Sequence, residues 1–537
     1  MSTATPQASP QATPVAPAPA FDVVVVGSGA SGCLMAAKLA QAGKRVAILE
    51  AGPPVTTGDM WSSLIWARRI HGTPLPPLTG GSEPLSLNLN FAWGSGGSAA
   101  HHFACWFRLH EDDFSFKSTY GVGLDWPMTY DDLRPYYDQI QTEVGISGDD
   151  ATDLWTPPHD PYSMPPLALH AQGKALKRGF DALNIPTSPT PQAILSKPMG
   201  ERSACIYDGW CAAGCPIGAL ANPQVTYLRQ ALLAGATLIN DSTVTRVLTN
   251  PAGDRATGVE YYDYSGTKQQ VDGRVIALGA YAIENPRILL NSSSSAHPKG
   301  LANSSGLVGA YMMAHIGGQV FGLFDEDTEP YMGRTGGELW SQAQYTTDEK
   351  ANGYIGGYQW LGATAAKPND LLGICMMRPD LFGKPLDDFL TKASHHLVSN
   401  TALGNDLADE ANRVTLSDQK DAYGFPLAQV VHSIGDNQTK MRAAALDLGQ
   451  KIMKAAGATE VWTNPKADQH IMGGAIMGTD STSSVTDSYG QTHDVPNLVV
   501  LGSSVFPTSG AVNPTYTIHA VTLRTAEHVI AEWSNIA

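Results

Sequence analysis

Three of the six cysteines, Cys205, Cys211 and Cys215, fall within eleven residues in the stretch CIYDGWCAAGCPIGAL, a C-x5-C-x3-C spacing. Two thiols could close a disulfide and leave one over. Three with a fourth ligand from elsewhere could hold zinc, although C-x5-C is wider than the usual zinc pair. Six cysteines in 537 residues are too sparse for a disulfide scaffold. The other three, Cys33, Cys105 and Cys375, stand singly among apolar neighbours and are expected as buried small hydrophobes.

A second group of residues fits phosphate chemistry. Gly27-Ser28-Gly29-Ala30-Ser31-Gly32 follows four valines and precedes a helical pattern. Gly27 suits a sharp turn, Gly29 a close approach of backbone to a pyrophosphate, and Gly32 tight helix–strand packing. The phosphates would sit on the helix N-terminus, where free N–H groups and the dipole favour anions. Glu50, eighteen residues after Gly32, is placed to accept from a ribose hydroxyl. This pattern predicts a bound dinucleotide without choosing between a flavin and a nicotinamide.

The elements that must position these groups lie at both ends of the chain. A buried strand is expected at 23–26, a helix over 32–42 and a second strand at 45–49. Further strands are expected at 243–249, 257–263 and 273–278, then a helix over 283–291. Asp131 stands as an N-cap before an amphipathic pattern. The stretch 320–460 mixes alternating strands with one long helix over 437–456, and from 495 the pattern is strand, glycine loop, helix. Residues 51–90 read as loop with short helices. Residues 1–20, rich in Pro, Ala, Ser, Thr and Gln and without Lys or Arg, read as a disordered tail and not as a signal peptide. Export would require a leader-bearing partner.

Composition narrows the classes. At 43% hydrophobic residues the chain can bury a large core shared by two domains. The formal net charge of -16 repels phosphate backbones, so nucleic acid is not an expected partner. No apolar run reaches the roughly 18–20 residues needed to span a bilayer.

Three stretches together, VLGSSVFPTSGAVNPTYTIHAVTLRTAEHV (500–529), VIALGAYAIENPRILLNSS (275–293) and GSGGSAAHH (94–102), resemble the glucose–methanol–choline oxidoreductases from about residue 21 to the end. Two more, the cysteine stretch and YGVGLDWPMTYDDLRPYYDQ (120–139), resemble the large subunits of bacterial FAD-dependent sugar and polyol dehydrogenases. The resemblance implies an α/β fold: a Rossmann-like FAD-binding domain (21–319) carrying the iron–sulfur segment 205–220, and an interleaved α+β substrate domain built on a β-sheet (320–460). Residues 461–537 return to the FAD domain with the catalytic pair.

It also implies a 3Fe–4S cluster on Cys205, Cys211 and Cys215. Three thiolates suit a three-iron cluster, and such a cluster can carry single electrons from a two-electron flavin to a one-electron acceptor. A cytochrome c or quinone acceptor, a small subunit, a cytochrome c subunit, peripheral membrane association through those partners and a bacterial periplasmic location, with the cytoplasm as the alternative, follow from the same resemblance.

For the chemistry, ADQHIMGGAIMG (467–478) resembles the segment that lines the flavin's substrate face and nominates His470 as base. GAVNPT (510–515) nominates Asn513 as its polar partner. The family's usual GTxRMG is here GGAIMG, with Gly474, Ala475 and Ile476 in place of Thr and Arg. Gly96, Gly97 and Ser98 resemble the loop over the isoalloxazine. His101 falls at the spacing of a histidine that, in several relatives, bonds to the flavin, and His102 replaces the tryptophan that commonly follows. Ser31, Val244, Ser503, Pro514 and Thr515 complete the expected FAD contacts. Competing readings are a pyranose-oxidase-like enzyme using O2, with structural cysteines, and a non-catalytic flavoprotein relay. The retained His470 and Asn513 argue against the second.

Overall fold

Four valines, Val23–Val26, form the centre of the first sheet because β-branched side chains fill both covered faces of a parallel strand. Each is at most 3% exposed. The structure, a computed structural model, describes residues 21–61, 75–85, 92–346, 349–466 and 469–537. The expected tail, 1–20, lies outside the described residues, as do 62–74 and 86–91 of the expected loop region. The strand Phe21–Val26 runs parallel to Val46–Leu49 on one side and to Lys268–Leu278 on the other. Thr237–Ile239 extends the sheet beyond Val46–Leu49.

Lys268–Leu278 divides its pairing. Its first half pairs antiparallel with Ala256–Tyr262, which pairs with Thr243–Thr249. Its last three residues pair parallel with Leu498–Val500, so the chain's end rejoins its beginning. Sequence reading began this strand at 273, because Lys268, Gln269, Gln270 and Asp272 carry no apolar signal on their solvated reach.

The second sheet is antiparallel, in the order Glu460–Asn464, Met313–Leu323, Leu397–Gly404, Tyr358–Gly362, Leu339–Gln344, Ser188–Pro189. Gln469–Met472 joins it at the Met313 end. The helices Asp436–Ala455 and Ala171–Ala182 pack on this sheet around Trp360, Phe180 and Val320. The strand Met313–Leu323 crosses the boundary expected at 319/320, and Ser188–Pro189 reaches the sheet from far upstream. The fold is α/β: a Rossmann-like layer joined to an α+β layer on an antiparallel sheet. Among the described residues no helix is long and apolar enough to cross a membrane.

Two local expectations are corrected. Thr129, not Asp131, caps the helix Tyr130–Val144. Its hydroxyl accepts from the Asp132 amide at 3.4 Å, while Asp132 Oδ2 accepts from the Thr129 amide at 2.8 Å. This capping box places Asp131 inside the first turn. Cys375 ends the helix Pro368–Cys375 only partly buried, unlike Cys33 and Cys105.

Candidate active site

The first strand, its turn and the helix Ala30–Gln41 build one end of a cavity of about 310 Å3. Gly27 takes φ +91°, and a Cβ there would lie 2.5 Å from the Gly279 carbonyl oxygen. A Cβ on Gly32 would lie 2.0 Å from the Gly27 carbonyl oxygen, so helix and strand touch through bare backbone. Gly29, the residue before the helix, has open space where a Cβ would stand, and no side chain caps the helix. A free helix N-terminus beside open space is what a pyrophosphate requires.

Ser31, Glu50 and Val244 line the same cavity. Glu50 also ties the loops together. Its Oε2 accepts from the Ser28 amide at 3.0 Å and hydroxyl at 2.6 Å, and its Oε1 from the Gly52 and Gly94 amides at 2.9 and 3.3 Å. Burial raises its pKa against these hydrogen bonds.

Gly97, Ser98 and His101 line the cavity on the far side of the glycine turn. Gly96 stands behind them in a left-handed conformation, its amide donating to Ser28 Oγ at 3.0 Å. His102 is occupied on both ring nitrogens. Its Nδ1 donates to the Ala99 carbonyl at 2.9 Å and its Nε2 accepts from Trp106 Nε1 at 3.2 Å. His101, its neighbour, lines the cavity.

At the opposite end, His470 and Asn513 converge. His470 lies on Gln469–Met472 at φ +62°, a conformation that costs a non-glycine residue strain and is held by its surroundings. Ala104 and Tyr281, also at positive φ, line the same cavity. Asn513 Nδ2 stands 3.3 Å from His470 Nε2, and its Oδ1 accepts from Gln359 Nε2 at 3.1 Å. Ser503, Pro514 and Thr515 complete this wall, where the helix Thr515–Ala531 starts without a side-chain cap. Burial first, and His315 second, hold the His470 pKa well below the ordinary imidazole value. His470 is half-buried and lines the cavity.

Sequence reading missed His315, Gln359 and Gln469. His315 Nδ1 lies 3.0 Å from His470 Nδ1, and Gln469 lines the cavity beside it. His315 and Gln359 lie on strands of the second sheet whose residues carry no motif. Ala475 and Ile476, at the positions departing from the usual family pattern, are buried in the core and do not line the cavity.

The three loop cysteines are free thiols, as are the other three. Burial, with Cys211 next, pushes Cys205 up to about 12, and burial raises Cys211 as well. Among the described residues no three His, Cys, Asp or Glu side chains gather closely enough to hold a single metal ion. That geometry disfavours zinc, whose four ligands share one ion. In a cluster the thiolates sit on separate iron atoms. A buried cation accompanies them. Arg334 is fully buried, with Nε and Nη2 unpartnered, and its field reaches the thiol of Cys205. Its Nη1 donates to the Ala168 carbonyl at 2.8 Å, and its charge acts on the buried Glu338 carboxyl, whose pKa burial raises to about 7 and Arg334 lowers.

Comparison with known proteins decides the family. Residues 21–317 match the N-terminal and 408–522 the C-terminal GMC oxidoreductase family models. The chain belongs to the GMC oxidoreductase family. It is an FAD-dependent oxidoreductase, and one cavity joins the glycine turn to His470. This GMC oxidoreductase is 31% identical to the fructose dehydrogenase large subunit of Gluconobacter japonicus, covering 95% of this chain and 97% of that one. It is 32% identical to the 2-methyl-1,2-propanediol dehydrogenase of Mycolicibacterium austroafricanum, covering 96% of each. Among solved structures, formate oxidase of Aspergillus oryzae shares the fold at a TM-score of 0.68 and 16% identity, covering 96% of this chain and 99% of that one.

Proposed function

We propose that this GMC oxidoreductase oxidises an alcohol group of a sugar or polyol by hydride transfer to FAD. The electrons then leave through a 3Fe–4S cluster on Cys205, Cys211 and Cys215 to a cytochrome c or quinone partner. The observation that carries the oxidation chemistry is the approach of Asn513 Nδ2 to His470 Nε2 at 3.3 Å on the cavity wall. An alcohol oxygen docked against both on the cavity side donates its proton to the imidazole, displacing that hydrogen bond, and accepts from the amide. FAD bound here supplies the hydride acceptor. His470 stays neutral because it is buried, so it is in the basic form at ordinary pH. Gln359 holds the amide in the donating direction. The glycine turn and the helix N-termini bind the phosphates.

Support for the electron exit comes from the cysteine loop's position. Gly214, between Cys211 and Cys215, rests on the Ala100 carbonyl of the flavin turn, and a Cβ there would stand 3.3 Å from that oxygen. Partner subunits belong to the same reading, supported by the likeness to a large subunit, and a periplasmic location is proposed with them. His101 is proposed as the residue of a covalent flavin link, since His102 is engaged on both nitrogens.

The test is anaerobic titration of FAD-loaded protein with fructose, glucose, gluconate, sorbitol and 2-methyl-1,2-propanediol, with iron and sulfide assayed on protein purified without air. Bleaching of the flavin band by one of them, with iron and sulfide present, supports the reading. Bleaching without iron, with O2 consumed, replaces it by an oxidase.

A further inference from the structure

We propose that His315 is a positioning residue that fixes the ring tautomer of His470 and so aims its basic nitrogen at the substrate. The inference rests on the proposed role of His470 as the base.

The argument begins at two main-chain carbonyls. His315 Nε2 lies 3.2 Å from the carbonyl oxygens of both Ser509 and Gly510. A carbonyl oxygen can only accept, so Nε2 carries the proton. His315 is completely buried, and burial holds its pKa down to about 4 although the Asp406 carboxylate and the two carbonyls pull it upward. The ring is therefore neutral at working pH, and its Nδ1 is a bare lone pair.

That lone pair lies 3.0 Å from His470 Nδ1. Two bare nitrogens at this distance repel, so His470 Nδ1 carries a proton and donates it to His315. The proton on Nδ1 leaves His470 Nε2 as the lone pair. Nε2 is also the atom that faces Asn513.

A chain of side chains gives the same orientation from the other direction. His110 meets Gln342 Oε1 at 2.8 Å, Gln342 Nε2 donates to Gln359 Oε1 at 3.1 Å, and Gln359 Nε2 donates to Asn513 Oδ1 at 3.1 Å. Asn513 is left with its N–H groups towards His470, where they meet an acceptor. The two networks, one ending on backbone and one on side chains, demand the same tautomer. When His470 takes the substrate proton on Nε2, its Nδ1–H still has a partner inside a cavity wall where an unpaired imidazolium would be costly.

The backbone supports this arrangement. His315 lies on Met313–Leu323 and is paired with Gln469, next to His470, at an irregularity in the pairing. The irregularity and the positive φ of His470 turn its ring onto His315, and the rings meet edge-on at 80° with centroids 5.1 Å apart.

The experiment compares His315→Asn with His315→Gln in FAD-loaded protein. The asparagine oxygen can stand where Nδ1 stands and accept from His470. The glutamine amide can reach the Ser509 and Gly510 carbonyls but offers no acceptor at the Nδ1 position. Flavin reduction by an alcohol substrate is followed anaerobically by stopped flow, separating the limiting rate from the apparent Kd. The proposal expects His315→Asn within about threefold of wild type and His315→Gln slower by on the order of 10²-fold, with apparent Kd little changed in both. A purely structural tether to the carbonyls gives the opposite ranking. Equal rates in the two variants, or a faster His315→Gln, overturn the proposal. If His470→Ala is reduced as fast as wild type, the base assignment fails instead, whatever the His315 variants show.

Discussion

Gly214 of the cysteine loop backs onto Ala100 of the flavin turn, one residue before His101. A Cβ there would press on that carbonyl at 3.3 Å and on Met60 Sδ at 2.8 Å. The contact joins the proposed electron exit to the FAD site through bare backbone.

It leads to the first prediction. Cys211→Ser should lose iron and lose reduction of a cytochrome c, while a small dye that reaches the flavin directly is still reduced by the enzyme with substrate. His470 and Asn513 lie on the far wall and are untouched. Both assays are run on soluble, FAD-loaded variant. Wild-type cytochrome reduction in that variant would remove the loop from the electron path. Loss of both activities with FAD retained would show that the loop also shapes the flavin site.

The second prediction concerns His101. If it carries the flavin, acid-precipitated protein keeps its yellow colour, and His101→Ala releases FAD to the supernatant. His102→Ala should leave the colour in the pellet, because His102 is engaged by Ala99 and Trp106. Free FAD released from fully loaded wild-type protein would rule out the bond.

The third is a loss of stability in mild acid. Burial holds His102, His315 and His519 down to about 4, and His470 well below its ordinary value. Unfolding returns each to about 6.5. Below that value the unfolded chain binds protons that the folded chain does not, so stability is full above pH 6.5 and falls towards pH 4. Each such proton is worth about 1.4 kcal/mol per pH unit. Burial raises the Glu338 pKa to about 7 and those of Glu50, Glu284 and Asp113 as well, which works the other way. The histidine contribution is therefore read as a difference: between pH 7 and pH 5 His519→Gln should lose less Tm than wild type in excess FAD. An unchanged Tm–pH slope in His519→Gln would show that this ring is protonated in the fold.

Much of the FAD end was legible in the sequence because its chemistry is local. Gly27, Gly29 and Gly32 act within one turn: Gly27 and Gly32 press on neighbouring backbone, and Gly29 faces open space. Asn513 and His470 could be nominated from short motifs, although only the fold brings their side chains within 3.3 Å. His315 and Gln359 were not legible. Each lies on a strand of the second sheet and matters only through a partner 155 or 154 residues away. The helix cap was misplaced by two residues because Asp131 and Thr129 carry the same capping signal, and the reciprocal bond from Asp132 selects between them.

The most direct test of the account is anaerobic flavin reduction in His470→Ala. The variant should fold and hold FAD at wild-type occupancy, since the phosphates are bound at the other end of the cavity. With a substrate that bleaches the wild-type flavin, its limiting reduction rate should fall by on the order of 10²–10⁴. A rate within a few-fold of wild type would contradict the assignment of His470 as base, and with it the reading of the His470–Asn513 wall as the site of alcohol oxidation.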